Sequence, residues 1–250
     1  MNPPIPKRLR QEPLIEVIWQ VQFEPAPNQN VGEILPGILC GTIRKDNAQP
    51  ELKRLPAAEI PPQVATVDAN LRCAAKYRIE SPGSPYLTQI GDRIVTLSYR
   101  RPYGGWSDFQ KHIHKLIEGL ETSGLIPQAK RQSLRYIDLP TLDQPPPLAD
   151  LNVSVRVGIR MIDAQPLQLR VELPDDGCSH VLQIVTPANV SVPEGERQGT
   201  LVDTETFAEV QEETWASAKS GLDALHTASK ALFFKQLLTQ DSIIRMQPEY

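Results

Sequence analysis

The side chains of this chain that could do chemistry are few and scattered. Arg135, Tyr136 and Asp138 fall within four positions in SLRYIDLP. Asp203 and Glu205 recur two apart in TLVDTETF, a spacing that puts both carboxylates on one strand face; such pairs can do acid/base or metal work, but most are solvent-facing strand positions, which is the favoured reading. His226 sits in the middle of an apolar helical stripe, in LDALH. It reads either as a buried base or ligand, or as a core histidine satisfied by neighbouring hydroxyls and carbonyls. His112 and His114 are two apart in a helical pattern, about 200° apart around the axis, and cannot hold one metal from one face. His114 falls opposite the apolar stripe and is expected in solvent. Gly104-Gly105 precedes a helix start beside Arg100 and Arg101, an arrangement that can receive a phosphate. No Lys-Ser/Thr follows, so a turn that needs glycine's angles is the favoured reading.

Within SLRYIDLP, strand alternation sends Leu134, Tyr136 and Asp138 to one face and Ser133, Arg135, Ile137 and Leu139 to the other. Neither face is purely apolar, which predicts a central strand packed on both sides. Cys40, Cys73 and Cys178 are far apart and odd in number, with no CxxC or Cys/His ligand spacing. Neither a disulfide framework nor a structural zinc site is expected, and no metal or cofactor is predicted. Nucleotide-loop, nucleophile-elbow, zinc-protease and EF-hand patterns are absent from the sequence.

Composition narrows the classes. The 250 residues allow one large domain or two small ones, and 24 prolines, about twice the usual share, predict long ordered connections. The net charge of −4, with both signs interspersed, gives no basic footprint for nucleic acid and no membrane-binding tail. The N-terminus has no apolar leader segment and no apolar run approaches the roughly 18 residues of a membrane span. A reducing cytoplasm is the expected compartment.

The elements follow from periodicity. Residues 1–13 read as a Pro-rich tail that packs loosely. LIEVIWQVQF alternates as a strand with Ile15, Val17, Trp19, Val21 and Phe23 on one face. Asn30 can cap a helix over 31–43 that contains Pro36. Residues 45–68, with Pro50, Pro56, Pro61 and Pro62, read as a long connection. LRCAAKYRIE predicts a strand with Leu71, Cys73, Ala75, Tyr77 and Ile79 on one face, and YLTQIG and RIVTLSY predict a hairpin turning at Gly91-Asp92. WSDFQKHIHKLIEGLETSG is a helix with a Ser107/Gln110 capping box, a stripe of Phe109, Ile113, Leu116, Ile117 and Leu120, and a Gly124 cap. SLRYIDLP closes a β-α-β-β-α-β order.

TLDQPPPLAD marks a boundary near residue 145. Beyond it, strands are predicted at Val153–Ile159, Leu167–Leu173, SHVLQIVTP and GTLVDTETF, with a turn at Asp175-Asp176-Gly177, then one helix over about 211–239. The predicted fold is α+β: an N-terminal ferredoxin-like (βαββαβ) unit over 14–144, followed over 145–250 by a mostly antiparallel β-sheet half with a long C-terminal helix.

Five segments in order, PLIEVIWQVQFEP (13–25), RRPYGGWSDFQKHI (100–113), SLRYIDLP (133–140), TLVDTETF (200–207) and LDALHTASKALFFKQLLT (222–239), carry a resemblance. Together they resemble a sporadically distributed prokaryotic family of about this length. Its members show a P-[LI]-[VI]-E-V strand, a W-x-x-F helix, L-R-Y-I-[ND], an acidic strand and an L-x-x-L-H helix. The family commonly has Asn where this chain has Asp138, and a fuller acidic stretch where it has Val202-Asp203-Thr204. The family carries no assigned activity, so the resemblance implies prokaryotic origin and domain limits but no catalytic residue. Sporadic distribution implies mobile or defence-associated genes.

The expected function is therefore a non-catalytic protein-interaction or accessory protein, of a prokaryotic defence or toxin–antitoxin locus. The alternative is an enzyme or small-ligand protein with a site between the two halves, built on Arg135, Tyr136, Asp138, Asp203 and His226. RNA binding by the ferredoxin-like sheet is a third reading, against which the acidity and the missing RNP signature count. The expected partner is protein, neither nucleic acid nor membrane.

Overall fold

Strand β2 (Leu14–Glu24) forms where apolar and polar residues alternate, and its Val17, Trp19, Val21 and Phe23 are buried. The computed structural model describes residues 4–26, 29–44, 49–140, 148–163, 165–192 and 195–250. The boundary expected near 145 lies outside these. Ahead of β2 is β1 (Arg8–Leu9). After it come α1 (Val31–Arg44), β3 (Glu51–Arg54), the short helices α2 (Pro62–Val67) and α3 (Ala69–Arg72), and strands β4 (Ala75–Glu80), β5 (Tyr86–Gly91) and β6 (Ile94–Arg100). Helix α4 (Trp106–Thr122) leads to β7 (Gln128–Asp138). Then follow β8 (Val155–Val157), β9 (Arg160–Ile162), β10 (Leu167–Asp175), β11 (Cys178–Val192), β12 (Gly195–Glu209), α5 (Trp215–Ala231), α6 (Gln240–Arg245) and β13 (Pro248–Glu249).

The fold is mixed α and β, with a large sheet and a C-terminal helix. Nine strands are hydrogen-bonded in the order β10-β11-β12-β7-β2-β6-β5-β4-β3. The pairs β10–β11, β6–β5, β5–β4 and β4–β3 are antiparallel. Among the described residues no helix is long and apolar enough to cross a membrane.

Contacts gather into two compact units. One comprises Met1–Val17, Leu134–Thr206 and Ala224–Tyr250. Its core sets Leu182, Ile184 and Val202 of the long strands against Phe233, Leu237 and Ile243. Leu9 joins this core, and β1 pairs antiparallel with β13. The other comprises Ile18–Ser133 and Phe207–Asp223. There α1 packs on α4, β4 and β5, and the α4 stripe of Phe109, Ile113, Leu116, Ile117 and Leu120 is buried as its spacing requires. Trp19 donates through Nε1 to Gln132 Oε1 at 3.2 Å, and Gln132 Nε2 donates to the Ala218 carbonyl at 2.9 Å. Gln132 thus satisfies the indole of a fully buried tryptophan. Gln132→Leu is expected to cost about 1–3 kcal/mol, because it leaves the buried Trp19 indole N–H unpaired, and urea melts would measure it.

Several expectations change. Residues in the 45–68 connection form β3, a 3-10 turn at Pro56–Glu59 and α2. All four β3 side chains are exposed, so this strand rests on backbone pairing with β4 and leaves no hydrophobic period to read. Leu71 belongs to α3 and Cys73 to the turn after it, so β4 starts at Ala75, later than the alternation suggested. Helix α4 begins at Trp106 behind Gly105 with no side-chain cap. Gln110 instead donates to Asp223 Oδ1 at 2.9 Å, which removes the capping box. Gly124 does turn left-handed, at φ 65°. The single strand expected over 153–159 is the β8–β9 hairpin, reversing at Gly158. The long C-terminal helix begins at Trp215, widens to π-helical turns over Leu232–Leu237, and gives way to α6 behind a Thr239 cap.

Candidate functional site

The five candidate residues all fall in the first unit, and the structure joins four of them as two pairs. Arg135 on β7 meets Asp203 on β12 as a fork: Nε donates to Oδ1 at 2.8 Å and Nη2 to Oδ2 at 2.5 Å. Adjacent strands and matching faces bring this about, since β7 lies between β12 and β2. The hydrogen bonds to Asp203 raise the proton affinity of the guanidinium, burial opposes them, and the negative charges of Glu205 and Glu16 add smaller rises. The Arg135 side chain keeps 39% of its surface exposed and that of Asp203 only 9%. The strand is central in the sheet and covered on both sides, as its two-faced pattern suggested: Ser133 and Leu139 are buried on the Arg135 side, Leu134 and Asp138 on the other.

Tyr136 points to the opposite face. Its hydroxyl and His226 Nδ1 share a 2.9 Å hydrogen bond, so α5 and β7 are tied by a polar contact inside an otherwise apolar stripe. His226 is half-buried. This is the arrangement of a histidine satisfied by a neighbouring hydroxyl.

Asp138 joins neither pair in the same way. It is 4% exposed at the end of β7. Burial pushes its carboxyl up to about 8, and the negative charges of Asp203 and Glu12 add to the rise. At neutral pH Asp138 is thus largely a neutral acid able to donate a proton, while Arg135 and Asp203 neutralise each other.

A second polar network, in the other unit, left little trace in the sequence. Tyr86 and Tyr99 are direct cross-strand partners on β5 and β6. Both hydroxyls donate to Asp108 Oδ2, at 2.7 and 2.9 Å, and the Gly104 amide donates to the Tyr99 hydroxyl at 2.8 Å. The hydrogen bond from Tyr86 holds the Asp108 carboxyl below its ordinary range, and burial holds both phenols above theirs. His112 stacks on Tyr86 with ring centres 3.9 Å apart, beside a groove of about 260 Å³ also lined by Leu39, Ile79 and Leu116. The chain's own carboxylate therefore fills the first turn of α4, where the Gly104-Gly105 pair had suggested a phosphate. The readable signals were Asp108 and His112 four apart and two tyrosines near a hairpin. His114, expected in solvent, has its Nε2 buried without a hydrogen-bond partner among the described residues.

The apolar surface is as informative as these polar groups. On the β8–β9 hairpin, Val157 is 66% exposed, Ile159 97% and Met161 44%, while Val155 at its base packs on the core of its unit. No protein-family model matches the chain, and no curated protein matches it.

Proposed function

We propose that this chain is a non-catalytic interaction protein that presents the β8–β9 hairpin to a protein partner. The observation that carries the reading is the hairpin tip, where an isoleucine is 97% exposed between a half-exposed methionine and a more exposed valine. The register puts Val157 and Met161 on opposite faces of the hairpin with Ile159 at the turn between them, so each face of the tip carries an exposed apolar side chain. The hairpin is anchored, since Val155 and Val153 pack on the core beneath it. Arg156 pairs with Met161 and Arg160 with Val157 across the two strands. The partner this fits has an apolar pocket with acidic groups at its rim.

The rest of the reading is of the same kind. The strand order β7-β2-β6-β5, with α1 and α4 as the connections, supports a ferredoxin-like unit within 14–144, extended by β4 and β3. The sequence resemblance supports an accessory or immunity role in a prokaryotic defence or toxin–antitoxin locus, acting in the cytoplasm. A small-ligand role for Arg135, Tyr136, Asp138, Asp203 and His226 is a second reading, favoured by the buried acid at Asp138.

The test places a photo-crosslinking residue at position 159 in the native host and compares Ile159→Asp. A defined partner, crosslinked from 159 and lost with Ile159→Asp at unchanged melting temperature, is the expected result. If the variant retains every partner of the parent, the hairpin is not the contact surface.

A further inference from the structure

The turn between β10 and β11 brings together three side chains of different chemistry. Asp175 and Cys178 are direct cross-strand partners that close the turn, so they share a face. His180 is two residues beyond Cys178 on β11 and shares that face too. The turn residues are Asp176 and Gly177, and Gly177 takes a φ of 72° at no steric cost. Read along the chain, D-x-x-C-x-H matches no familiar ligand spacing. Read across the register, the three donors must converge.

The atoms do so. His180 Nε2 lies 3.4 Å from Asp175 Oδ2 and 3.9 Å from Cys178 Sγ, and all three ligand atoms lie within 4.8 Å of one another. Each is also oriented. His180 is 2% exposed, and its Nδ1 shares a 2.9 Å hydrogen bond with the fully buried Thr206 hydroxyl, which fixes the ring and directs Nε2 at the other two donors. Asp175 Oδ1 accepts from the Asp176 amide at 2.8 Å, which leaves Oδ2 as the free donor.

From this geometry we infer that Asp175, Cys178 and His180 form a binding site for a thiophilic divalent cation, zinc above all. Tetrahedral zinc with its usual bond lengths needs donor–donor separations of roughly 3.3–3.7 Å. The Asp–His pair already meets that value, and the half-exposed Asp175 and Cys178 close the rest by small rotations. A thiolate and an imidazole select zinc over magnesium or calcium, which prefer oxygen. Thr206 supplies the outer hydrogen bond that metal-bound histidines carry on their second nitrogen. Three protein ligands leave the fourth position to water. A Cys–His nucleophile fits less well. The Asp175 carboxylate lies nearer to Nε2 than the thiol does, at 3.4 against 3.9 Å, so it competes with Cys178 for the nitrogen that would have to take the thiol proton.

The test titrates the reduced full-length protein with zinc chloride against a chromophoric chelator, then repeats it with cobalt(II). Expected are one ion per chain and a thiolate-to-cobalt charge-transfer band. Cys178→Ser abolishes the band, and it and Asp175→Asn each weaken zinc binding at least about tenfold. Thr206→Val keeps the stoichiometry and weakens binding by roughly 10–100-fold, as loss of an outer hydrogen bond does. Cys40→Ser and Cys73→Ser leave both readouts unchanged. Binding unaffected by Cys178→Ser, a band that survives it, or no zinc binding tighter than about 100 μM overturns the proposal.

Discussion

Asp138→Asn is expected to stabilise the protein at pH 8 and to flatten its stability between about pH 4 and 8. The carboxyl of Asp138 is buried and pushed up to about 8 from its ordinary 3.8. Between those two values the folded chain holds a proton that the unfolded chain has released. Stability from this group is therefore fully present below about pH 4 and is lost as pH rises toward 8, with a slope of up to about 1.4 kcal/mol per pH unit. This is the reverse of the usual carboxylate, which is paired when folded and loses stability in acid. Relaxation and water entry reduce the full span, so the variant is expected to gain about 2–3 kcal/mol at pH 8. At pH 4.5 the gain should nearly vanish, because asparagine and the protonated acid are close in size and both can donate.

Urea unfolding of parent and variant across that range decides the matter, with parallel pH curves as the contrary outcome. A neutral amide at this position does what the protonated acid does in the parent. If Asp138 were instead a working acid, the variant would gain stability and lose activity together.

How much of the fold could be read beforehand depended on which physical signal each element used. Strand β2 and helix α4 rest on burying one face, and burial leaves a period in the sequence. Strand β3 buries nothing, is held by backbone bonds to β4, and left no period. The β8–β9 hairpin shows the opposite error. Val155, Val157 and Ile159 alternate like a buried strand, yet the latter two face solvent, because Gly158 reverses the chain before the pattern can be used. Alternation reports what could be buried and not what is.

The candidate site divides in the same way. Arg135, Tyr136, Asp138, Asp203 and His226 were recognisable singly as polar groups set among apolar neighbours. Which would meet was not, because Arg135 finds Asp203 across 68 positions and Tyr136 finds His226 across 90. Asp175, Cys178 and His180 were closer together in sequence and still missed, since their convergence is a property of hairpin register. Long-range pairing and register are both settled by strand order, which one-dimensional spacing does not carry.

Arg135→Ala is expected to be the most costly change at the polar sites, by about 2–4 kcal/mol. It leaves the Asp203 carboxylate, 9% exposed, with Glu205 and Glu16 nearby and without the fork that neutralised it. Asp203→Ala is expected to cost less, because the remaining Arg135 keeps 39% of its surface in contact with water and can turn outward. The order of the two variants is thus set by which partner is deeper. Arg135→Lys should recover only part of the loss, since an ammonium cannot make two parallel hydrogen bonds to one carboxylate. Arg135→Met with Asp203→Leu removes both charges and keeps the volume, and is expected to be more stable than Arg135→Ala alone. A double-mutant cycle by urea melts at pH 7 measures the coupling, expected at about 1.5–3 kcal/mol. Coupling below about 0.5 kcal/mol would place the pair among ordinary surface ion pairs, and Arg135 would then be free to serve a ligand or partner.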